Sequence, residues 1–188
     1  MTKIYRNIKE IENDIQNDIL KIKGDVRFEC PLNLLSSIEV GGDVFASNDV
    51  TADRIICGNL HVNGDLDATS IQAYNINAKN ISAGSIDAFN IIGGNSVKAC
   101  KIYCNNIKAL MLDVDDIIAR KDISCDNIIS GNIIAENIKA INIVYDGAIC
   151  SAYTIECMKA IGIGEKYAEP ICLNGKIKIV ENAEEIDL

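Results

Sequence analysis

Several residue types that shape ordinary globular proteins are scarce in this chain of 188 residues. Trp is absent, His occurs once and Pro twice, while aromatic residues make up 5% of the sequence. No apolar run approaches the ~18 residues that a membrane span requires. The first residues, MTKIYRNIKEIEND, lack the apolar stretch and small-residue cleavage site of a secretory signal peptide. These absences predict a cytoplasmic protein that does not span a membrane.

Charge and cysteine content narrow the class further. The formal net charge of −9 argues against direct nucleic-acid binding and against binding to anionic membranes. The eight cysteines are expected to stay reduced in a cytoplasmic protein, so they do not indicate a disulfide framework. Ile occurs 35 times and Asn 20 times, a bias that favours one structural unit repeated many times.

The repeat has a period of five. From Val44 to Ile155 a large apolar residue returns every five or six positions, as in the segment IQAYNINAKNISAGSIDAFNII at 71–92. Two places after almost every large residue stands Ala, Cys, Ser or Gly; only Val62, Val114 and Tyr145 are larger than Cys. Residues two apart on an extended chain point the same way, so the large and small residues face inward together.

The residue before the large one is often Asn, as at Asn75, Asn80 and Asn90. Asn tolerates left-handed backbone and bonds to its own main chain, which suits a corner between short extended segments. Segments joined by corners wind into an all-β, single-stranded parallel β-helix, or solenoid. We expect four sides of five residues, hence about 20 residues per coil, because a large Ile from every side would crowd a three-sided core.

This pattern resembles the pentapeptide-repeat family, whose members are right-handed square β-helices with one large and one small inward residue in every five. The resemblance covers about 115 residues, although the family places the small residue two before the large one and this chain places it two after. A weaker likeness, through Gly42-Asp43-Val44 and Gly58-Asn59-Leu60, is to polymer-forming bacterial β-helices of the bactofilin type.

The ends of the repeat predict two caps and three segments. Ile4, Ile8, Ile11, Ile15, Ile19 and Ile22 recur at spacings of four and three, which predicts an amphipathic helix over residues 3–23. That helix either covers the first coil or forms a dimer seam. Residues 171–179 predict a hairpin with Asn-Gly at its turn, followed by an acidic tail from 181 to 188. The predicted segments are 1–23, 24–164 (solenoid) and 165–188.

The sequence carries little that indicates catalysis. His61 follows Leu60 at an outward position, and we interpret it as an ordinary surface residue. Cys57, Cys104, Cys125 and Cys157 occupy the small inward position, where cysteine packs as a small apolar residue. Cys100 and Cys104 lack a second pair that would complete a zinc site. We therefore predict no enzyme, no cofactor and no metal.

Folding the repeat onto four sides predicts two surfaces. One side collects a column of cations, Lys79, Lys98, Arg120 and Lys139, which could bind an anionic partner. A second side stacks Phe89, Leu110 and Ile129, an outward apolar column typical of a subunit contact, with Ile92 and Ile134 beside it. This predicted dimer surface comprises Phe89, Ile92, Leu110, Ile129 and Ile134.

These expectations favour a non-catalytic interaction or scaffold protein, a rigid rod that binds a protein partner or itself, with a homodimer expected. An alternative follows from the resemblance. Some pentapeptide-repeat proteins are acidic rods that mimic duplex DNA and inhibit topoisomerases or other DNA-binding enzymes. The acidic pI of about 4.6 fits that role.

Overall fold

The computed structural model describes residues 2–163 and 168–182, and most of them lie in β-strands. The prediction of an all-β parallel solenoid is confirmed, with about nine turns. The first strands are β1 (Lys3–Tyr5), β2 (Ile15–Gln16), β3 (Ile19–Ile22), β4 (Val26–Phe28), β5 (Leu32–Asn33), β6 (Ser37–Val40), β7 (Val44–Ala46), β8 (Val50–Ile56) and β9 (Asn59–Val62). The later strands are β10 (Asp65–Cys104), β11 (Asn106–Ala119), β12 (Asp122–Lys139), β13 (Asn142–Tyr145), β14 (Ile149–Gly162), β15 (Ile171–Cys172) and β16 (Lys176–Asn182).

The strand register gives the number of sides. Ile91 pairs with Ile107 and Ile107 pairs with Ile123, so one turn takes about sixteen residues. Because a large residue returns about every five, each turn presents three of them, one on each of three faces. The predicted four sides of 20 residues per coil are therefore wrong.

The three faces, A, B and C, are each defined by the column of large inward residues at their centre. Face A contains Leu60, Ile76, Ile91, Ile107 and Ile123; face B contains Leu66, Ile81, Val97, Leu112 and Ile128; face C contains Ile71, Ile86, Ile102, Ile117 and Ile133.

The inward assignment of the repeat is confirmed. Every large position from Val44 to Ile155 is buried, and among the small positions only Cys57 is partly exposed. Three large residues fit in each turn because each is followed, two places later, by a small one. The space that Ala or Cys leaves on one face is available to the large side chains of the same turn, which accounts for the limit on volume.

The turns nearest the N-terminus are wider and hold larger side chains. Val26 pairs with Val44, eighteen residues away, whereas Val44 pairs with Leu60, sixteen away. In these wider turns Phe28 occupies the position that Ala holds elsewhere, and it stacks on Tyr5 with 5.6 Å between ring centroids. Residue count per turn and side-chain volume therefore change together.

Asn at the corners has a different role from the one predicted. Among the described residues the non-glycine positions with positive φ are Asn17 and Asp18, so the repeat's Asn residues do not adopt left-handed backbone. They stack from turn to turn instead: Asn90 Nδ2 donates to Asn75 Oδ1 at 2.7 Å, and Asn90 Oδ1 accepts from Asn106 Nδ2 at 2.8 Å. The resulting corner ladder runs along the rod before face A. Its members are Asp25, Asp43, Asn59, Asn75, Asn90, Asn106, Asp122, Asn137 and Thr154.

The predicted helix over 3–23 is wrong. Only α1 (Ile8–Glu12) is helical, with Asn7 as its N-cap. Asn17 and Asp18, with φ of 51° and 60°, form a two-residue turn that joins β2 and β3 as an antiparallel hairpin. The Ile residues are spaced as in one amphipathic helix, but they belong to several short elements, and several of them contact the core from these different elements. The predicted boundary at 23/24 separates no structural units, because β1 pairs with β4.

The predicted C-terminal hairpin is also wrong. Strands β15 and β16 both pair in parallel with β14, so residues 171–182 form another turn of the solenoid. Asn174-Gly175 lies where the chain passes between these strands, and a Cβ on Gly175 would clash with the carbonyl of Tyr153. Glu181 and Asn182 belong to β16, and the rest of the predicted acidic tail lies outside the described residues. Within the described ranges, no helix has the length and apolar character needed to cross a membrane.

Candidate protein-interaction surface

Face C carries a continuous line of exposed apolar side chains. The register pairs Tyr103 with Ile118, Ile118 with Ile134, Ile134 with Cys150 and Cys150 with Ile171. The first four each follow a large inward residue, and Ile171 continues the outward column that they form. The side chains of all five therefore point away from the core. Tyr103, Ile134 and Ile171 are exposed, and Ile118 and Cys150 are partly exposed. We call these five residues the apolar strip.

A second outward row lies beside the apolar strip on face C. Its members are the residues that follow the small inward position: Phe89, Asn105, Arg120, Glu136, Ala152 and Leu173. Phe89 stacks on Tyr74, one turn earlier, with ring centroids 4.9 Å apart and planes inclined by 10°. Both aromatic rings line a groove together with Tyr103 and Arg120. The apolar surface of face C is two residues wide at the C-terminal end of the second row, where Ala152 and Leu173 lie beside Cys150 and Ile171, whereas Phe89 lies beside Asp87.

Two opposite charges occupy the middle of the second row. Arg120 and Glu136 follow Ala119 and Ala135 on successive turns. Neither side chain takes part in any of the ion pairs found within residues 2–163 and 168–182. Face C thus presents an exposed cation and a partly exposed anion side by side, flanked along the strip by apolar residues.

The structure does not bring the predicted cations together. Lys98 lies on face B, where its ammonium group bonds to Asp113 at 2.9 Å and the hydrogen bond raises the Lys98 pKa. Lys139 lies on face A and pairs in register with Glu156, while Arg120 belongs to face C. Lys79 lies at the corner after face A, where its N–H bonds to the carbonyl of Gly64. A column of four cations is not formed.

The five residues of the predicted dimer surface are all exposed, but three-sided winding distributes them differently. Ile92 lies on face A and Leu110 at the corner after it, while Ile129 lies on face B. Phe89 and Ile134 both lie on face C, in the second row and the apolar strip respectively. The predicted Phe89–Leu110–Ile129 column is therefore wrong, and Ile134 and Phe89 are the members that the candidate surface keeps.

Of the eight cysteines, only Cys150 is a member of the apolar strip, and the histidine lies on another face. Burial raises the pKa of the Cys57, Cys104 and Cys125 thiols to about 12, so these cysteines remain protonated. His61 lies on face A, where Nε2 is 3.0 Å from Asn63 Oδ1 and the ring tilts against Phe45. In the part of the chain that the structure describes, no three His, Cys, Asp or Glu side chains are placed to hold a metal ion.

Sequence reasoning missed Tyr103, Ile118, Cys150 and Ile171 as surface residues. The strip residues from Tyr103 to Cys150 follow one another at intervals of 15 or 16 residues, so a repeat of sixteen would have aligned them. The corner ladder carries the same spacing, from Asn59 to Asn75 to Asn90. Ile171 is separated from Cys150 by 21 residues, because an insertion precedes the last turn, and periodicity gives no signal for it.

Comparison with known proteins adds no relative from which a role could be transferred. No protein-family model matches the chain, and neither does a curated protein or a solved structure. The likeness to pentapeptide repeats and to bactofilins therefore remains a resemblance of sequence pattern, and the structure supports the coarser statement that this chain is a parallel β-solenoid.

Proposed function

We propose that this protein is a non-catalytic interaction or scaffold solenoid, a rigid rod that binds a protein partner or a second copy of itself through face C. The observation that carries the proposal is the apolar strip, which continues over five successive turns. Single exposed apolar residues are common on protein surfaces, whereas contiguous apolar patches mark interaction sites.

The energetics of the strip support a binding role. Apolar surface left in water is unfavourable by ~25 cal/mol per Å², so covering the strip with a partner stabilises the complex. The strip also presents its side chains at a fixed spacing of ~4.8 Å, the distance between hydrogen-bonded strands. Because the inward residues below it are buried, the surface needs little ordering when a partner binds.

The perturbed titratable groups support a non-catalytic role. Besides the buried thiols, a cluster near the N-terminus joins Lys3, Tyr5 and Asp14, where hydrogen bonds to Lys3 and Tyr5 lower the Asp14 pKa. This cluster links β1 to the second residue after α1, so its effect is to fix the first turn. Of these residues, Cys57 and Cys104 line the groove beside Tyr74 and Phe89, and both are thiols that burial keeps protonated.

The DNA-mimic alternative depends on continuous negative faces. On face B the outward residues of four consecutive turns are Lys98, Asp113, Ile129 and Val144, so one of the four is acidic, one is basic and two are apolar. Over the corresponding turns face C carries the apolar strip beside one cation, Arg120, and one anion, Glu136. This distribution favours protein binding through face C over mimicry of a nucleic acid.

A matched pair of substitutions tests the proposal. Ile134 on face C and Ile129 on face B are 48% and 42% exposed, so they differ mainly in which face they occupy. The immobilised wild-type protein, Ile134→Glu and Ile129→Glu would each be incubated with lysate from its native cells, and retained proteins would be identified by mass spectrometry. We expect Ile134→Glu to lose specific partners that Ile129→Glu retains. Equal retention by the two variants would contradict face C as the binding surface.

A further inference from the structure

We propose that face C binds a second copy of this chain in an antiparallel, two-fold symmetric dimer. This inference rests on the proposed function and names the partner. Its basis is the order of residues along the two rows of face C. When a second copy runs in the opposite direction along the rod, each row meets residues of the same row that are complementary to it. The relevant part of the strip row is Asp87, Tyr103, Ile118, Ile134, Cys150 and Ile171, and the second row is Phe89, Asn105, Arg120, Glu136, Ala152 and Leu173.

Symmetry limits how two such faces can meet. A two-fold axis that lies in the interface and runs along the strands reverses the order of turns but keeps each row opposite the same row of the partner. With the axis between the turns of Ile118 and Ile134, Ile118 packs against the partner's Ile134. Tyr103 then packs against the partner's Cys150. Each contact occurs twice, so the apolar strip is covered on both copies.

The same axis pairs the charges of the second row. Arg120 lies opposite the partner's Glu136, and Glu136 opposite the partner's Arg120, which gives two reciprocal ion pairs. Since neither side chain has an ion pair within the described part of its own chain, both are available for this contact. Complementary charges of this kind set the register of an interface more than they set its affinity.

The ends of the second row are also complementary. Under this axis Phe89 lies opposite the partner's Leu173, and both side chains are exposed in the single chain. Asn105 lies opposite the partner's Ala152. One contact is unfavourable, because Asp87 lies opposite the partner's Ile171, but it falls at the rim, where the carboxylate keeps its contact with water.

Other arrangements of face C against itself are worse. An axis parallel to the rods would place the strip row against the second row, so Ile118 would cover the partner's Arg120 and Ile134 the partner's Glu136. An axis through the turn of Ile118 would place Arg120 against the partner's Arg120. Burying a charge without a counter-charge is strongly unfavourable, which leaves the axis between the two turns.

The size of the interface sets the conditions of the test. Six turns at ~4.8 Å by about four residues at ~3.3 Å give a flat contact of about 29 Å by 13 Å, or about 750 Å² from both copies. This lies below the ~1,200 Å² typical of stable complexes, so a weak dimer is expected. Sedimentation velocity is therefore run from about 10 to about 500 micromolar, a range suited to weak association.

Charge exchange tests the register. Arg120→Glu alone and Glu136→Arg alone each place two like-charge pairs across the two-fold, and we expect each to weaken the dimer at least about tenfold. An equimolar mixture of these two variants restores both opposite-charge pairs, so a heterodimer should form. Lys108→Glu, an exposed charge reversal on face A, is the control and should leave the dimer unchanged.

Three results would overturn the inference: a monomeric wild type over the whole range, a dimer that neither charge reversal weakens, or a mixture that fails to associate. Circular dichroism on each variant checks that the solenoid is intact. Failure here is distinguishable from failure of the proposed function. If the wild type is monomeric but Ile134→Glu still loses partners that Ile129→Glu retains, face C binds a different protein, and only the dimer is refuted.

Discussion

The corner ladder gives a sharp test of what holds successive turns together. Asn90 is partly buried and takes part in two side-chain hydrogen bonds, one to Asn75 at 2.7 Å and one from Asn106 at 2.8 Å. Asn90→Ala removes both and leaves an amide group on each neighbouring turn without its partner. A net contribution of ~0.5–1.5 kcal/mol for each neutral hydrogen bond gives an expected loss of ~1–3 kcal/mol in the free energy of unfolding.

The repeat supplies a matched control for this substitution. Asn77 lies one turn before Asn90, two residues after the ladder residue Asn75, but its side chain is exposed on face A and forms none of the ladder bonds. Asn77→Ala is therefore expected to change the free energy of unfolding by no more than ~0.5 kcal/mol. Urea unfolding followed by far-ultraviolet circular dichroism measures both variants. A third variant, Asn90→Asp, has nearly the same shape as Asn but lacks the donor, so it separates hydrogen bonding from volume.

The outcome of the Asp variant depends on pH. At neutral pH the carboxylate of Asn90→Asp would face the Asn75 oxygen without a proton between them, so the loss should exceed that of Asn90→Ala. Below the carboxyl pKa of about 4, the protonated group can donate again and part of the loss should be recovered. Equal losses for Asn90→Ala and Asn77→Ala would refute the ladder as a source of stability.

Three further predictions follow from the core and the corners. Ala83→Leu forces a larger side chain into a close-packed inward position and should cost ~1–3 kcal/mol or more, whereas Ser82→Leu, on the outward side, should cost little; similar shifts in Tm would contradict the inward assignment. Burial raises the pKa of Cys104 and Cys125 from 9.0 to about 12. As the pH rises, the unfolded chain therefore releases these protons at a lower pH than the folded chain does. Their contribution to stability should be complete below pH 9 and lost towards pH 12, and urea titrations should show a shallower loss once both are Ala. Met111→Asn should be more stable than Met111→Ala, as measured by urea unfolding.

The solenoid fold could be predicted because a few neighbouring residues are enough to show which side chains are buried. The pairing of Ile with Ala two positions later, as at Ile81 and Ala83, records the inward direction of each segment without knowledge of the rest of the chain. The number of sides could not be obtained that way, because it depends on the angle at each corner and on how large and small residues of one turn share space. The spacing of Asn59, Asn75 and Asn90 did carry the answer, since hydrogen bonds between turns require one ladder residue per turn.

The candidate surface was predicted poorly for the same reason. Which outward residues become neighbours depends on the residues per turn, so an error of four residues moved Leu110 and Ile129 onto other faces. Both ends failed for a different reason. At the N-terminus, Ile spacing alone could not distinguish one helix from a short helix and a hairpin, although Asn17-Asp18 was a usable turn signal. At the C-terminus, Asn174-Gly175 fitted a hairpin locally, but pairing with β14 prevailed.

A second ladder, at the corner before face B, shows how the repeat accommodates exceptions. Asp65 N–H donates to Asp49, Asn80 to Asp65, and Ser96 to Asn80, at 2.8, 2.7 and 3.1 Å. The ladder stops at Met111, which pairs in register with Ser96 below and Asn127 above. The ladder resumes on the next two turns, where Asn142 Nδ2 donates to Asn127 Oδ1 at 2.8 Å.

Met111→Asn is expected to join the two parts. Its Nδ2 would donate to Ser96 Oγ and its Oδ1 would accept from Asn127 Nδ2, a gain of ~1–3 kcal/mol from two hydrogen bonds. Against this stands the loss of contacts by the Met side chain, which is 37% exposed, at roughly 1 kcal/mol. Because the gain from the hydrogen bonds and the loss of Met contacts are similar in size, comparing Met111→Asn with the wild type alone does not show whether the bonds form. Met111→Ala loses the same contacts without gaining the bonds, so the Asn variant should exceed it by ~1–3 kcal/mol. Equal stability of the two variants would show that a side-chain ladder adds nothing at this corner beyond the backbone hydrogen bonds between turns.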